Sequence, residues 1–358
     1  MNLMFKTIPI SIFLLVFSGF SNADTIHLKR GKPIEGCKVK KETWTEVKYA
    51  LKGLAAEAIV KREDIDRIDY DDIPDPFKQA EASMEIGSFE QAKDSYIKFL
   101  KEKDDFENSD VFEPKVYYGL AKTLLILAPS AKKKETDKYT ESAEKFYLDS
   151  AEKYFRRVAE GDNPLIGDAL VGLIDSRLAT QDFAGAKKAA DSLREKKLSD
   201  YYNMMAELYQ CHITYFQKDY KEAVRKYESL AGRARRDNKV IYGIALVGKG
   251  KALVAGGTPK DAQQAFEDVL TNSDNEEALA GAYNGIGDIY RADKNHRESL
   301  LAYLHVVVLY REVHREMPKA LYYAGKAFIT LKDENPVWGP RGNSLLARQK
   351  EEYPAWKP

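Results

Sequence analysis

A small residue followed four positions later by a bulky one recurs along this chain: Ala92 with Tyr96, Ala151 with Phe155, Ala223 with Tyr227, Ala262 with Phe266 and Ser299 with Tyr303. Ala186 with Ala190 is a degenerate copy. The small residues stand 59, 35, 37, 39 and 37 positions apart, so after one long interval the register holds near 37. Four residues are about one helical turn, which puts both members of a pair on one helix face. The small member lets a second backbone approach, and the bulky member fills the space beside the crossing. Self-similarity at a fixed period implies stacked helical units, each burying its apolar face against its neighbours.

Twelve residues before each small residue lies another small position: Cys211, Gly250 and Gly287, with Ile174 as the poor match in the degenerate copy. The best copy is "NGIGDIYRADKNHRESLLAYLHVV", in which Ile286-Gly287-x-x-Tyr290 leads to Ser299 and Tyr303. This pattern resembles the tetratricopeptide repeat (TPR), with its L-G-x-x-Y, A-x-x-x-F and helix-ending proline. Pro114, Pro164 and Pro318 stand at repeat starts as that pattern wants. The resemblance implies a mainly α fold, a TPR-type α-solenoid of helical hairpins. Six repeats are expected at about 76 to 103, 114 to 162, 164 to 197, 201 to 235, 239 to 272 and 276 to 312, with a seventh from near Pro318 whose completeness the pattern leaves open. The spacing exceeds the family's ~34 residues, which implies lengthened helices or turns. In the first repeat, "GSFEQAKDSYIKF", Gly87 ends a helix at positive φ, Phe89 plugs the turn as Tyr220 does later, and Tyr96 and Phe99 fill the gap toward the next repeat. A helix around 344 to 352 is expected to cap the last apolar face.

Before the repeats, the first 23 residues carry Lys6, an apolar run from Ile8 to Phe20, and Ser21-Asn22-Ala23, the small-x-small pattern of a cleaved export signal. An uncleaved anchor is the other reading, but a 13-residue run containing Pro9 is short of the ~20 residues a spanning helix needs. From 24 to 72 the apolar residues alternate, as in Ile26 and Leu28, Cys37 and Val39, and Val47, Tyr49 and Leu51, punctuated by Gly31, Gly36 and Gly53. That is the pattern of short strands and tight turns, hence a small β-barrel-like module. "IHLKRGKPIEG" resembles the first strands of Sm-like or SH3-like barrels. The module lacks the clustered basic and stacking residues of single-strand binders, so packing or docking is expected of it rather than RNA binding. "DDIPDPF" then links to the helices, giving a repeat region at 73–335 and a tail at 336–358.

Lysine plus arginine equals aspartate plus glutamate at 56 each, so no global field draws the chain to nucleic acid or an anionic membrane. Two cysteines, Cys37 and Cys211, exclude a disulfide framework; two separately buried thiols are preferred to a single bridge. There is no H-E-x-x-H, paired C-x-x-C, phosphate-cradling glycine loop or G-x-S-x-G elbow. The five histidines are scattered. His305 and His314 could share a face of one long helix, yet they lack the carboxylates a metal would need, so surface histidines are expected and no metal or cofactor is inferred. "GGTPKD" at 256 to 261 reads as a turn between paired helices. The lysine-rich "APSAKKKETDKYTES" reads as a solvated loop or helix extension, with partner docking as the other reading.

In the family geometry the first helices of successive repeats line a concave face. The residues this places in the groove are Tyr118 and Lys122 in repeat two, His212 and Tyr215 in four, Lys251 in five, Asn284, Asp288 and Arg291 in six, and Tyr322 and Lys326 in seven. Such groups suit an extended peptide held through backbone amides or a carboxylate, and a merely solvated face is the alternative. Of the carboxylate clamp known in some relatives, only Asn284, Arg291 and Lys326 suggest anything. The expected function is a non-enzymatic protein-protein interaction scaffold of the cell envelope, periplasmic or extracellular. The alternative is an envelope-assembly or wall-associated factor that positions an enzyme machine. An enzyme between module and repeats has no motif behind it.

Overall fold

The computed structural model describes residues 23–51, 56–130, 143–354 and 356–358. The expected export signal before Ala23, the turn residue Gly53 and most of the lysine-rich stretch lie outside the described residues. The chain divides into two compact units, one running to Ile73 and the other from Pro74 to Pro358, with Glu42–Trp44 grouped with the second.

The first unit is a five-stranded sheet: β1 (Asp24–Leu28), β2 (Ile34–Glu42), β3 (Glu46–Leu51), β4 (Glu57–Lys61) and β5 (Ile65–Asp69), in the order β4-β3-β2-β1-β5. β1 pairs antiparallel with both β2 and β5, and β3 pairs antiparallel with β4. The alternation buries Ile26, Cys37, Val39, Val47 and Ile65, while Ile59 on the edge strand β4 is exposed. Asp24 is buried and satisfied by backbone: its carboxylate accepts from the Val39 N–H at 2.8 Å and the Asp71 N–H at 3.1 Å. Both Cys37 and Cys211 are free, buried thiols.

The second unit is an α-solenoid of helical hairpins, so a small β-sheet precedes a helical array, as the sequence pattern implies. Among the described residues there are seven pairs: α1 (Asp75–Glu85) with α2 (Phe89–Glu102), α3 (Ser109–Leu127) with α4 (Ala143–Glu160), α5 (Ile166–Ala179) with α6 (Phe183–Glu195), α7 (Asp200–Phe216) with α8 (Tyr220–Asp237), α9 (Lys239–Ala255) with α10 (Pro259–Asn272), α11 (Glu276–Ala292) with α12 (His296–Leu309), and α13 (Met317–Thr330) with α14 (Trp338–Glu352). Two boundaries differ from the sequence reading. Pro114 lies inside α3, five residues past its start. The expected cap at 344 to 352 begins earlier, at Trp338, and is the second helix of a complete seventh pair. "WGPRG" looks like a turn, but Pro340 falls in the first helical turn, where its missing N–H costs no intrahelical bond. Gly342 lets α14 sit against α13, where a Cβ would come 2.7 Å from the Gly325 carbonyl.

Five of the hairpins share one turn. Its pivot residue has positive φ: Gly87 (72°), Gln181 (60°), Lys218 (65°), Gly257 (86°) and Lys294 (59°). In each, the pivot N–H bonds the carbonyl three residues back and the following N–H reaches five back, as from Lys294 to Arg291 (3.1 Å) and Asn295 to Tyr290 (2.8 Å). This doubly bonded ending satisfies carbonyls that a helix C-terminus otherwise leaves open. Asp182, Asp219 and Asn295, each next after a pivot, then cap the following helix by accepting from the N–H of Gly185, Glu222 and Glu298.

The recurring small residues sit at the helix crossings. Ala92, Ala151, Ala186, Ala223, Ala262 and Ser299 are all buried, as are Tyr96, Phe155, Ala190, Tyr227, Phe266 and Tyr303 one turn on. Each of these rings lies against glycine backbone. A methyl group at Gly119, Gly172, Gly248 or Gly285 would overlap the ring of Tyr96, Phe155, Tyr227 or Phe266, respectively, so each ring wedges against the first helix of the next pair. Phe266 and Tyr303 also touch Gly250 and Gly287 of their own pairs, where a Cβ would meet ring carbons at 2.5 and 2.6 Å. The third pair has Ala190 instead of a ring, and there the contact is reversed: Tyr202 of α7 packs onto Gly167 of α5 and its hydroxyl donates to Asp168 at 2.8 Å.

Overpacking such a contact costs about 1–3 kcal/mol and sometimes more. Gly287→Leu is expected to lower the unfolding free energy by roughly 3 kcal/mol in chemical denaturation. Gly232→Ala, at an exposed position of α8 with nothing within 4 Å, is expected to raise it by about 1 kcal/mol through helix propensity alone. A neutral Gly287→Leu would show that the ring does not set the crossing.

Candidate functional site

Consecutive first helices touch one another directly, α1 with α3, α3 with α5, α5 with α7, α7 with α9 and α9 with α11, so they form the inner layer of the array. Against this layer lies a cleft of about 820 Å³ lined by side chains of α5, α7, α9, α11 and α13, by the loop before α13, and by Trp356 and Lys357. That volume falls within the range of ligand-sized sites.

The loop Tyr310–Glu316 supplies the cleft's central charges. Arg315 donates to Asp175 of α5 at 3.0 Å and to Glu277 of α11 at 3.2 Å, bridging positions 140 and 38 residues away in the chain. Asp175, with Glu277, holds the guanidinium firmly in its charged form. More than half of the Arg315 side chain is still reached by solvent, so the cleft is open to water at that point. Glu316, by contrast, is buried and accepts from Lys251 Nζ at 2.5 Å and from Asn284 Nδ2 at 2.8 Å. Burial, the largest single influence on Glu316, pushes its carboxyl up, but Lys251, Lys319 and the hydrogen bonds outweigh it and bring the carboxyl down to about 2. Lys319 pairs with Asp288, which also accepts from the Tyr303 hydroxyl at 2.8 Å. The charges therefore come in pairs of opposite sign, which leaves the cleft without a strong net field.

Of the residues expected in the groove, His212, Tyr215, Lys251 and Asp288 line this cleft together. The others are placed differently. Asn284 is fully buried, donating to Glu316 through both the backbone carbonyl (2.9 Å) and the carboxylate, so it braces the array and is not open to a partner. Arg291 lies over the Tyr323 ring at 4.4 Å, and Lys326 over the Tyr322 ring at 5.7 Å. With Asn284 enclosed and these two cations held on rings, the three do not converge as a carboxylate clamp. Tyr322 packs edge-on against Tyr323 and lies 5.6 Å from Trp356. Tyr118 is half-buried against Phe155, its hydroxyl pushed up to about 12 by burial and by Asp168 and Asp175, and Lys122 is exposed.

The sequence reading missed Asp175, Glu277, Arg315, Glu316 and Lys319. The signal available was the length of the α12–α13 connection, longer than the other connections between pairs and charged through "REVHREMPK". It also missed the reach of that loop: His314, read as sharing a helix with His305, lies beyond the end of α12, its ring 5.5 Å from Phe89 and its Nδ1 3.2 Å from the Tyr353 hydroxyl. Phe89 thus meets the far end of the array. Among the described residues no group of three or more His, Cys, Asp or Glu is placed to hold a metal ion, and no helix is long and apolar enough to cross a membrane.

The molecule is thus a helical-hairpin solenoid with a small antiparallel sheet and an inner-face cleft. No protein-family model matches the chain, and no curated protein sequence matches it. Among solved structures it is similar to a tetratricopeptide repeat protein from Parabacteroides merdae, with a TM-score of 0.41 and 16% identity over 69% of this chain and 97% of that one.

His212 gives the site a pH signature. Its Nδ1 lies 2.5 Å from the Tyr227 hydroxyl, which donates to the neutral ring. Burial, aided by Arg315 and Lys251, lowers its pKa to about 3 from 6.5. The unfolded chain therefore takes up this proton first, so the stability tied to neutral His212 is complete above pH 6.5 and is lost as pH falls toward 3. Since the cleft admits water, the slope stays below the limit of about 1.4 kcal/mol per pH unit. His212→Gln, which can still accept from Tyr227, is expected to flatten the stability curve between those values in denaturation series. An unchanged acid limb would mean that His212 is not the group responsible.

Proposed function

We propose that this chain is an exported, non-enzymatic interaction scaffold of the cell envelope that grips an extended segment of a partner protein on its inner face. The observation that carries the reading is the cleft, where side chains from five first helices meet around paired charges and aromatic rings. Tyr215 and Trp356 offer ring surface, and Arg315 and Lys251 offer donors for the backbone carbonyls of an extended peptide. The pairing of the charges favours a segment of low net charge, because a strongly charged one would have to break existing pairs. No nucleophile with a neighbouring base stands in the cleft: His212, its one imidazole, is engaged with a tyrosine hydroxyl. Export rests on the pattern of residues 1–23 and leads to a periplasmic or extracellular site of action.

In-cell crosslinking of the tagged chain, read by mass spectrometry, tests this. The double substitution Tyr215→Ala and Arg315→Ala is expected to remove a defined envelope protein from the captured set. Lys188→Ala, on the exposed face of α6, should retain it. Equal capture by both variants would refute an inner-face scaffold, as would capture of cytoplasmic proteins alone.

A further inference from the structure

The crossing of α5 and α7 carries the same contact twice. Asp168 and Asp175 stand seven residues apart on α5, and Tyr202 and Tyr209 stand seven apart on α7. Seven residues are two helical turns, so both pairs keep to one helix face at two levels about 10 Å apart. At each level a tyrosine hydroxyl of α7 meets a carboxylate of α5: Tyr202 donates to Asp168 Oδ1 at 2.8 Å, and the Tyr209 hydroxyl bonds Asp175. At the second level an arginine completes the arrangement, Arg315 donating to Asp175 at 3.0 Å. At the first level no cation is paired with Asp168 among the described residues. A carboxylate has about four acceptor sites and Tyr202 uses one, so the half-buried Asp168 keeps open acceptors. Aromatic rings stand where the cation is missing. Tyr201, 43% exposed, lies edge-on to Tyr202 with ring centroids 5.2 Å apart, and Tyr118 comes from α3, which touches α5 on the side away from α7. Burial first and then Asp168 push both hydroxyls up, Tyr118 to about 12, so both stay neutral beside the carboxylate. Asp168, Tyr118 and Tyr201 are not among the residues lining the cleft, although Asp175 is.

We propose that Asp168, with Tyr118, Tyr201 and Tyr202, binds a guanidinium group supplied by an arginine of the partner segment, as Asp175 and Tyr209 hold Arg315. The chain's own cations favour arginine over lysine on such rings. Arg157 lies 4.3 Å from the Tyr117 ring and Arg291 4.4 Å from that of Tyr323, whereas Lys93 and Lys326 stand 5.5 and 5.7 Å from Tyr147 and Tyr322. A guanidinium can give its planar fork to the carboxylate while its face rests on a ring, which an ammonium cannot do. The assignment rests on the reading of the inner face as a grip for an extended segment. Such a segment advances ~3.3 Å per residue, so about three residues separate its arginine from the groups beside Arg315. One arginine keeps the segment's net charge low, and at Asp168 it displaces no existing ion pair.

Isothermal titration of the full chain with Nα-acetyl-argininamide tests the site without a partner. One site with a dissociation constant on the order of 1 mM is expected, and Nα-acetyl-lysinamide should bind at least tenfold more weakly. Asp168→Asn, which can still accept from Tyr202, should weaken the arginine probe at least tenfold and keep the thermal transition. Tyr201→Ala removes an exposed ring and should weaken it about threefold. A wild type that shows no saturation at about 20 mM overturns the proposal. So does a probe that binds Asp168→Asn as well as wild type, or a lysine probe that equals the arginine one. The crosslinking experiment separates this inference from the scaffold reading. If Asp168→Asn captures the protein that the Tyr215–Arg315 double variant loses, the scaffold stands and the arginine assignment falls. If the probe binds at Asp168 while no form of the chain captures a protein, the guanidinium site stands and the scaffold falls.

Discussion

At four of the six junctions between successive hairpins, an aromatic ring pressed onto a glycine holds one pair at a fixed distance from the next. Tyr96 on Gly119, Phe155 on Gly172, Tyr227 on Gly248 and Phe266 on Gly285 are the same contact repeated. The ring provides the buried area and the missing side chain lets the helix come close enough to use it. Since a ring cannot be compressed, the contact fixes the offset between pairs, and the accumulated offset curves the array. That curvature carries His314, which precedes the seventh pair, to Phe89 in the first. Where the ring is absent, at Ala190, Tyr202 restores the contact from the other side by packing on Gly167, so the steric requirement persists although the residues supplying it change.

Once the inner helices are fixed, polar groups on their facing sides must be satisfied, and this accounts for the ionic network. Glu316 is enclosed and would be costly unless paired; it receives Lys251 from α9 and Asn284 from α11 at the entry of α13. Arg315, its neighbour, does the opposite task in the open part of the cleft, holding Asp175 and Glu277. Buried pairs of this kind add little net stability against an apolar alternative. Their effect here is to tie α5, α9, α11 and α13 to one loop, which sets the walls of the cleft.

The repeats were legible because their constraint is local and steric. Ala92 with Tyr96 and Gly287 with Tyr303 show in any window long enough to hold two helices, and Gly87 has the left-handed turn its position required. The site was legible only in part. Lys251 and Asp288 follow from the register of the first helices, but Asn284 has the same apparent credentials and is buried, because what lies over it comes from 32 residues further on. Arg315 and Glu316 stand in a connection with no motif around them. Their role depends on contacts 65 and 140 residues away, which no local pattern encodes. The seventh pair was read short for a related reason: two glycines and two prolines in "NPVWGPRG" suggest a loop, while the stretch from Trp338 is helix and packs Gly342 closely against Gly325.

The inner and outer faces place different demands on the same helices, and α11–α12 shows how both are met. α11 gives Asp288 and Glu277 to the cleft and Tyr283 to the outer stack under His305. α12 buries Tyr303 between them, its hydroxyl held by Asp288 and its ring against Gly287. Leu301, Val308 and Leu309 form its exposed outer stripe, and none of them lines the cleft. The exposed stripe and the cleft are thus separate surfaces of one hairpin, linked through Tyr303.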